Sequence, residues 1–293
     1  MGRELAETFP VARRTFEEAD DALGLGLARL CAEGPASELT RTELAQPAIL
    51  AVSIAAWRVL RATTKVAPAA LAGHSLGEWS ALVAADAIDL ATAVRGVRER
   101  GRLMQEAVPL GEGTMAAVIG LGGDEVAALC AEAADGQVLV PANLNGAGQV
   151  VVAGHTAAVD RLLARAKASR VRAIKLDVSA PFHCSLMAPA AEGLARVLDG
   201  ATIRDPAVPV VTSVEARPVR GAADVRALLV AQLTAPVRWE ATIDALDAYA
   251  PALALEPGPG AVLTGLLKRL RPALPCIAVG DPAGVDAARG ALA

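Results

Sequence analysis

Ser75 lies in Gly73-His74-Ser75-Leu76-Gly77, a G-x-S-x-G pattern between a short apolar run, roughly Ala69 to Ala72, and the helical segment EWSALVAADA. A strand that turns this sharply into a helix strains the backbone at its central residue. It also lifts the hydroxyl to the helix N-terminus, where backbone N–H groups can hold an oxyanion. Both glycines are expected to remove side chains that would clash. The plainer alternative is a Gly-rich turn with Ser75 as a helix N-cap.

A serine needs a base to act as a nucleophile near neutral pH, and the chain has three histidines. His74 adjoins Ser75, and neighbouring side chains point apart. His155 follows Gly154 at the start of a helical segment and reads as a surface or cap residue. His183, in Ser179-Ala180-Pro181-Phe182-His183-Cys184, falls where the chain returns from one predicted domain to another and can face the cleft between them; the alternative is a packing histidine. No Asp or Glu stands out as a third member. Asp177 is near in sequence but is expected inside a strand, so a dyad with a backbone carbonyl orienting the imidazole fits the residues present.

The predicted helix Leu90 to Glu106 carries several arginines. Arg95, Arg98, Glu99 and Arg102 share a face that reads as solvated charge. Arg100 instead falls among Ala93, Gly96, Val97, Leu103 and Met104. A guanidinium in an apolar stripe is costly unless a partner awaits it, and its planar fork suits a carboxylate. A packed stem with a snorkelling head, or an internal acid, is the competing explanation.

These residues need elements to hold them. VARRTFEEADDALG reads as a helix ending at Gly24, and AQPAILAVSIAAWRVLRA as a longer buried helix with Pro47 in its first turn. From about 114 to 178 the order is strand (TMAAVIGL), helix (DEVAALCAEA), two strands (QVLVPAN, QVVVAG) separated by Leu144 to Gly148, helix (TAAVDRLLARAKAS) and closing strand (VRAIKLDV), the order of a ferredoxin-like module. VPVVTSV, ALALEP and CIAVG then resume an α/β pattern. The expectation is a hydrolase-like large α/β domain with a parallel sheet, residues 1–112 and 180–293, and an inserted ferredoxin-like (βαββαβ) small domain, residues 113–179.

The 293-residue chain is 54% hydrophobic, ample for a core, while 2% aromatics and a net charge of −4 argue against a nucleic-acid partner. Four dispersed cysteines without a CxxC pair suggest neither a metal site nor a redox motif. The charged N-terminus is unlike a signal peptide, and the longest apolar stretch, Pro47 to Trp57, is too short to span a bilayer. A cytoplasmic protein, without membrane association and monomeric, is expected.

Taken together the motifs resemble the bacterial malonyl-CoA:acyl carrier protein transacylases, members of the acyltransferase family of fatty acid and polyketide synthesis. The resemblance runs through QPAIL (46–50), GHSLGEWSALVAA (73–85), RGRLMQEAVP (100–109), MAAVIGL (115–121), GQVVVAGH (148–155), SAPFHCSLM (179–187), QLTAPVRW (232–239) and GPGAVLTGLLKR (258–269). It implies transfer of a malonyl group from malonyl-CoA, as substrate and with no bound cofactor, to the phosphopantetheine thiol of acyl carrier protein. Ser75 is then the acylated nucleophile, His183 its base, Arg100 the ligand of the malonyl carboxylate and the Leu76 N–H an oxyanion donor. The Gln232 carbonyl orients His183, and Gln46 matches a glutamine of the family's cleft. Phe182 before His183 resembles the malonyl-selecting pattern of related polyketide synthase domains. An acidic carrier suggests a basic docking patch, at Lys167, Arg170, Arg172 and Lys175 or at Lys268, Arg269 and Arg271.

The family normally opens with a strand and a Pro-Gly-Gln-Gly-Ser-Gln loop, whereas this chain starts at residues that match just after them. Met1 is therefore expected to be an internal methionine of a longer reading frame. Competing functions are a serine esterase or thioesterase, a non-catalytic carrier-binding relic, and an acyltransferase serving a polyketide pathway.

Overall fold

The computed structural model describes residues 1–293. Its N-terminal part is helical: α1 (Arg3–Thr8), α2 (Pro10–Leu23), α3 (Leu27–Glu33), α4 (Ala36–Leu39) and α5 (Thr42–Thr63). Gly24 closes α2 in the left-handed region, φ 62°, as a glycine C-cap should. Helix α5 begins at Thr42, earlier than the sequence pattern placed it, so Pro47 lies inside the helix and is buried there. By length and composition α5 could cross a bilayer, at a mean hydropathy of 1.3, but 72% of that window is buried inside the fold. The apolar stretch is thus longer than Pro47 to Trp57, and its faces are used for packing.

The nucleophile segment follows as β1 (Leu71–Ala72) and α6 (Gly77–Ala84), then α7 (Leu90–Glu106). Helices α2, α5 and α7 pack together around Leu50, Ile54, Leu82, Val94 and Val97. Gly101 permits the closest approach: a Cβ there would stand 2.5 Å from the Thr42 carbonyl oxygen. That contact brings the neighbouring Arg100 against the start of α5.

Residues of the middle block form β2 (Gly113–Ile119), α8 (Gly123–Ala134), β3 (Leu139–Gly146), β4 (Gln149–His155), α9 (Thr156–Ala168) and β5 (Arg172–Lys175). The sheet is antiparallel with order β3-β4-β2-β5. One of its faces is sealed by α8 and α9 through Val126, Cys130, Val159 and Leu162. Two expectations change here. Strand β3 continues through Leu144 and Asn145 to Gly146, because Leu144 and Gly146 pair with Val150 and Gln149 of β4 around an irregularity at Asn145, which leaves only Ala147 and Gly148 to turn. Strand β5 stops at Lys175, so Asp177 is an exposed residue outside it.

The remainder comprises α10 (Ala188–Asp199), β6 (Val210–Val211), α11 (Ala222–Ala231), α12 (Trp239–Leu246), β7 (Ala254–Pro257), α13 (Val262–Leu270), β8 (Cys276–Val279) and α14 (Pro282–Leu292). Its parallel strands make two separate ladders, β1 with β6 and β7 with β8, where one parallel sheet was expected. Both strands of the first ladder end early. Beyond β1 the chain turns at Gly73, and beyond β6 Thr212 and Ser213 bond to Arg217 and Glu78. The fold is α/β, with parallel and antiparallel pairing in different sheets.

Candidate active site

Ser75 adopts φ 52°, the strained conformation that the strand-to-helix turn demands. Gly73 makes this turn possible, since a Cβ there would lie 1.9 Å from the carbonyl carbon of Gly77. Gly77 itself has open space around its Cα, so only one of the two glycines is required by sterics, contrary to the sequence expectation. The N–H groups of Gly77 and Glu78 bond to the carbonyls of His74 and Ser75. Leu76 N–H makes no backbone hydrogen bond and stays available at the N-terminus of α6, where an oxyanion is favoured.

His183 also has a positive φ, 60°. The segment before it leads from β5 towards α10, and its imidazole Nε2 stands 2.8 Å from Ser75 Oγ across 108 residues of sequence. On the other side of the ring, Nδ1 is 2.8 Å from the carbonyl oxygen of Gln232. A carbonyl only accepts, so Nδ1 carries the proton and Nε2 is left to accept from the serine hydroxyl. Gln232 is the C-cap of α11, where a helical carbonyl lacks an internal partner and the helix terminus is partly negative. That end can stabilise an imidazolium in place of an acid. Burial, reinforced by the charge of Arg100, pushes the His183 imidazole down to about 3. The ring is therefore neutral, with an unprotonated Nε2 facing the serine hydroxyl.

Arg100 is 1% exposed. Its Nη1 donates to Gln46 Oε1 at 2.7 Å, and its Nη2 to Gln232 Oε1 at 2.9 Å and to Ser75 Oγ at 3.1 Å. Nε is buried without a partner. The expectation was that a guanidinium among apolar residues has a partner waiting for it, and within the protein those partners are two amides and a hydroxyl. Burial draws its pKa down to about 10, opposed by the charge of Glu78. On the other face of α7, Arg95, Arg98, Glu99 and Arg102 line an open hollow of about 400 Å³, and Arg102 pairs with Glu99 and Glu106, as a solvated face should.

Ser75, His183, Arg100, Gln232 and Gln46 are thus brought into one hydrogen-bonded cluster. His155 takes no part: it stands at the N-cap position of α9, where its Nδ1 accepts the Val138 N–H at 3.0 Å instead of capping the helix. His74 turns away from Ser75 to meet Asn145 Oδ1 of β3 at 2.9 Å and the ring of Trp239. No group of His, Cys, Asp and Glu side chains is arranged to hold a metal ion. Sequence reasoning overlooked Asn145, Ser213 and Glu78. An acid beside Trp79, Leu82 and Val83, in the turn after the nucleophile, was the available signal for the last.

The acyl transferase domain family matches residues 1–273. The chain belongs to that family. It is 48% identical over 289 residues to the malonyl CoA-acyl carrier protein transacylase of Salmonella typhimurium, covering 98% of this chain and 94% of that protein. The Bacillus subtilis protein of the same name is 44% identical over 290 residues, covering 98% and 91%. Among solved structures, the malonyl CoA-acyl carrier protein transacylase of Coxiella burnetii superposes with a TM-score of 0.97 at 40% identity, covering 100% of this chain and 93% of that one. A complex described as a type II polyketide synthase acyl-carrier protein with its malonyl-transacylase gives a TM-score of 0.96 at 46% identity, with coverages of 99% and 94%. With such relatives, this acyl transferase is placed among the malonyl CoA-acyl carrier protein transacylases.

Proposed function

We propose that the protein transfers the malonyl group of malonyl-CoA to the phosphopantetheine thiol of acyl carrier protein, in fatty acid biosynthesis, through a malonyl-serine ester. One observation carries the chemistry: Ser75 Oγ lies between the basic Nε2 of His183 and a buried guanidinium. His183 Nε2 takes the hydroxyl proton as Oγ bonds to the thioester carbon, and the Leu76 N–H steadies the oxyanion. The C–S bond then breaks, and the proton passes from His183 to the departing coenzyme A sulfur. In the second half His183 takes the proton of the carrier thiol, whose sulfur attacks the ester and returns Ser75 Oγ to a hydroxyl. Arg100, held by Gln46 and Gln232, pairs with the far carboxylate of the malonyl group; an acetyl group would leave that charge unanswered.

The architecture reads as a large hydrolase-like domain, residues 1–112 and 180–293, around a ferredoxin-like insertion, residues 113–179. The β3-β4-β2-β5 order with two helices on one face supports the second part. The carrier would meet exposed Lys167, Arg170, Arg172, Lys268 or Arg269. Lys175 and Arg271 are weaker candidates than the sequence suggested, because Asp160 and the pair Asp244 and Asp247 already neutralise them. The reading includes a monomer in the cytoplasm with no bound cofactor. A polyketide role is the second reading, favoured by the likeness to the polyketide carrier complex; gene neighbourhood separates the two.

The test is incubation with malonyl-CoA, then with holo acyl carrier protein. Malonyl should appear on Ser75 and then on the carrier, and neither adduct should form with Ser75→Ala. Release of free malonate with no carrier adduct would replace the transferase by a thioesterase, and an unmodified, folded protein would leave the carrier-binding relic.

A further inference from the structure

Glu78 is 1% exposed, on the first turn of α6, three residues beyond the nucleophile. A single oxygen, Oε2, accepts from Ser213 N at 2.9 Å, from Ser213 Oγ at 2.9 Å and from Gln232 Nε2 at 3.0 Å. Gln232 Nε2 lies also 3.2 Å from the Ser75 carbonyl oxygen and 3.3 Å from Ser213 Oγ. On its other side the same amide presents Oε1 to Arg100 Nη2 at 2.9 Å.

An amide has two ends of similar shape and opposite chemistry. Here a carboxyl oxygen that already accepts from the Ser213 N–H faces one end, and a guanidinium, which only donates, faces the other. The two neighbours leave a single orientation of the Gln232 side chain without a like-with-like contact. Removing the carboxyl group frees the amide to turn its NH₂ towards Arg100, and the fork beside Ser75 then loses an acceptor. No acid is in direct contact with Arg100, so Glu78, one amide away, is the nearby negative charge that supports the cation.

We propose that Glu78 is a positioning residue for malonyl selection: by fixing which end of the Gln232 amide meets Arg100, it holds the guanidinium where the malonyl carboxylate must dock. The inference rests on Arg100 being the carboxylate ligand, as read above. A purely architectural role, tying α6 to the end of β6 through Ser213, is the alternative, and the two differ in what they do to a substrate without the carboxylate.

The experiment compares malonyl-CoA with acetyl-CoA in transfer to holo acyl carrier protein for wild type, Glu78→Gln, Gln232→Met, Arg100→Ala and Glu78→Gln/Arg100→Ala. Loss of a hydrogen bond to a charged group corresponds to roughly 10- to 100-fold. Glu78→Gln should raise the KM for malonyl-CoA and reduce the malonyl-over-acetyl ratio of kcat/KM by about that factor, with a far smaller change for acetyl-CoA. In the Arg100→Ala background the same substitution should leave the ratio unchanged. Parallel losses for both substrates in Glu78→Gln would overturn the proposal and leave the architectural role. If Glu78→Gln does not fold, Gln232→Met, which keeps Glu78 and removes the amide, must lower the same ratio, and an unaltered ratio there refutes the proposal. An intact ratio in Arg100→Ala overturns the carboxylate reading itself, and is distinct from a ratio lost in Arg100→Ala but kept in Glu78→Gln.

Discussion

Arg100 Nη2 donates to Ser75 Oγ at 3.1 Å, so the cation read as the substrate clamp is also a hydrogen-bond partner of the nucleophile. This closeness suits a short diacid. Once Ser75 Oγ is an ester oxygen, the malonyl carboxylate carbon is only three bonds away, and the guanidinium beside Oγ needs little movement to meet it.

Arg100→Lys tests whether charge alone suffices. The fork reaches Gln46 with one nitrogen and Gln232 and Ser75 with the other. An ammonium is a single point and cannot hold both amides in that geometry. Malonyl transfer by Arg100→Lys should fall by about 10- to 100-fold in kcat/KM. Steady-state kinetics with malonyl-CoA check this, and a near-normal value would mean that the planar fork is not needed.

The titration of His183 follows from its two main environmental causes. Burial and, after it, the charge of Arg100 together lower the imidazole to about 3. In an NMR titration from pH 8 to pH 5 the His183 ring resonances of the free protein should therefore stay in their neutral positions. Arg100→Gln removes the second cause and should move the midpoint upward. On the proposed reading, in which the malonyl carboxylate pairs with Arg100, binding of malonyl-CoA should act in the same direction and make His183 a better base when substrate is present. A midpoint near 6.5 in the wild type would remove the physical basis for this coupling.

Much of the site was legible because its parts obey local rules. Gly73 before Ser75 announces a turn too tight for a side chain, and Arg100 stood out as a charge in an apolar stripe. Elimination among three histidines left His183 as the candidate base, with a packing histidine as the alternative, and the family resemblance favoured the base. What stayed hidden depends on contacts between distant segments. Glu78 meets Gln232 across 154 residues, and His74 meets Asn145 across 71, separations over which no periodicity carries information. The parallel sheet was overestimated for a related reason: apolar β-branched runs such as VPVVTSV mark buried extended chain, while pairing depends on neighbours far away in sequence.

Burial of His183 also links stability to pH. Its folded value, about 3, lies below the roughly 6.5 of an exposed imidazole. Above pH 6.5 both states are neutral there and no slope arises. Below it the unfolded chain takes up a proton that the folded chain refuses, so stability falls as pH drops from about 6.5 towards 3, approaching about 1.4 kcal/mol per pH unit. Buried His74, also shifted down, adds in the same sense, whereas Glu78, shifted up by burial, works against it at the acid end. Urea unfolding of wild type and His183→Gln at pH 7.5, 6.5 and 5.5 should give a wild-type loss steeper than that of the variant. Parallel losses would show that His183 is not held neutral by the fold.

The two glycines flanking the nucleophile should behave differently despite their symmetry in G-x-S-x-G. A methyl on Gly73 would meet the backbone of Gly77 and Glu78, with the nearest atom 1.9 Å away, and neither backbone can yield without moving α6. Gly73→Ala should cost about 3 kcal/mol or more and displace Ser75 from His183, eliminating transfer in whatever fraction remains folded. Gly77 begins α6, its φ is not positive, and nothing lies within 4 Å of where a Cβ would be. Gly77→Ala should therefore be neutral or stabilising by up to about 1 kcal/mol, since alanine has less backbone freedom to lose on folding. Thermal melts of the two variants decide the matter: equal destabilisation would mean that the turn is held by something other than the close backbone contact at Gly73.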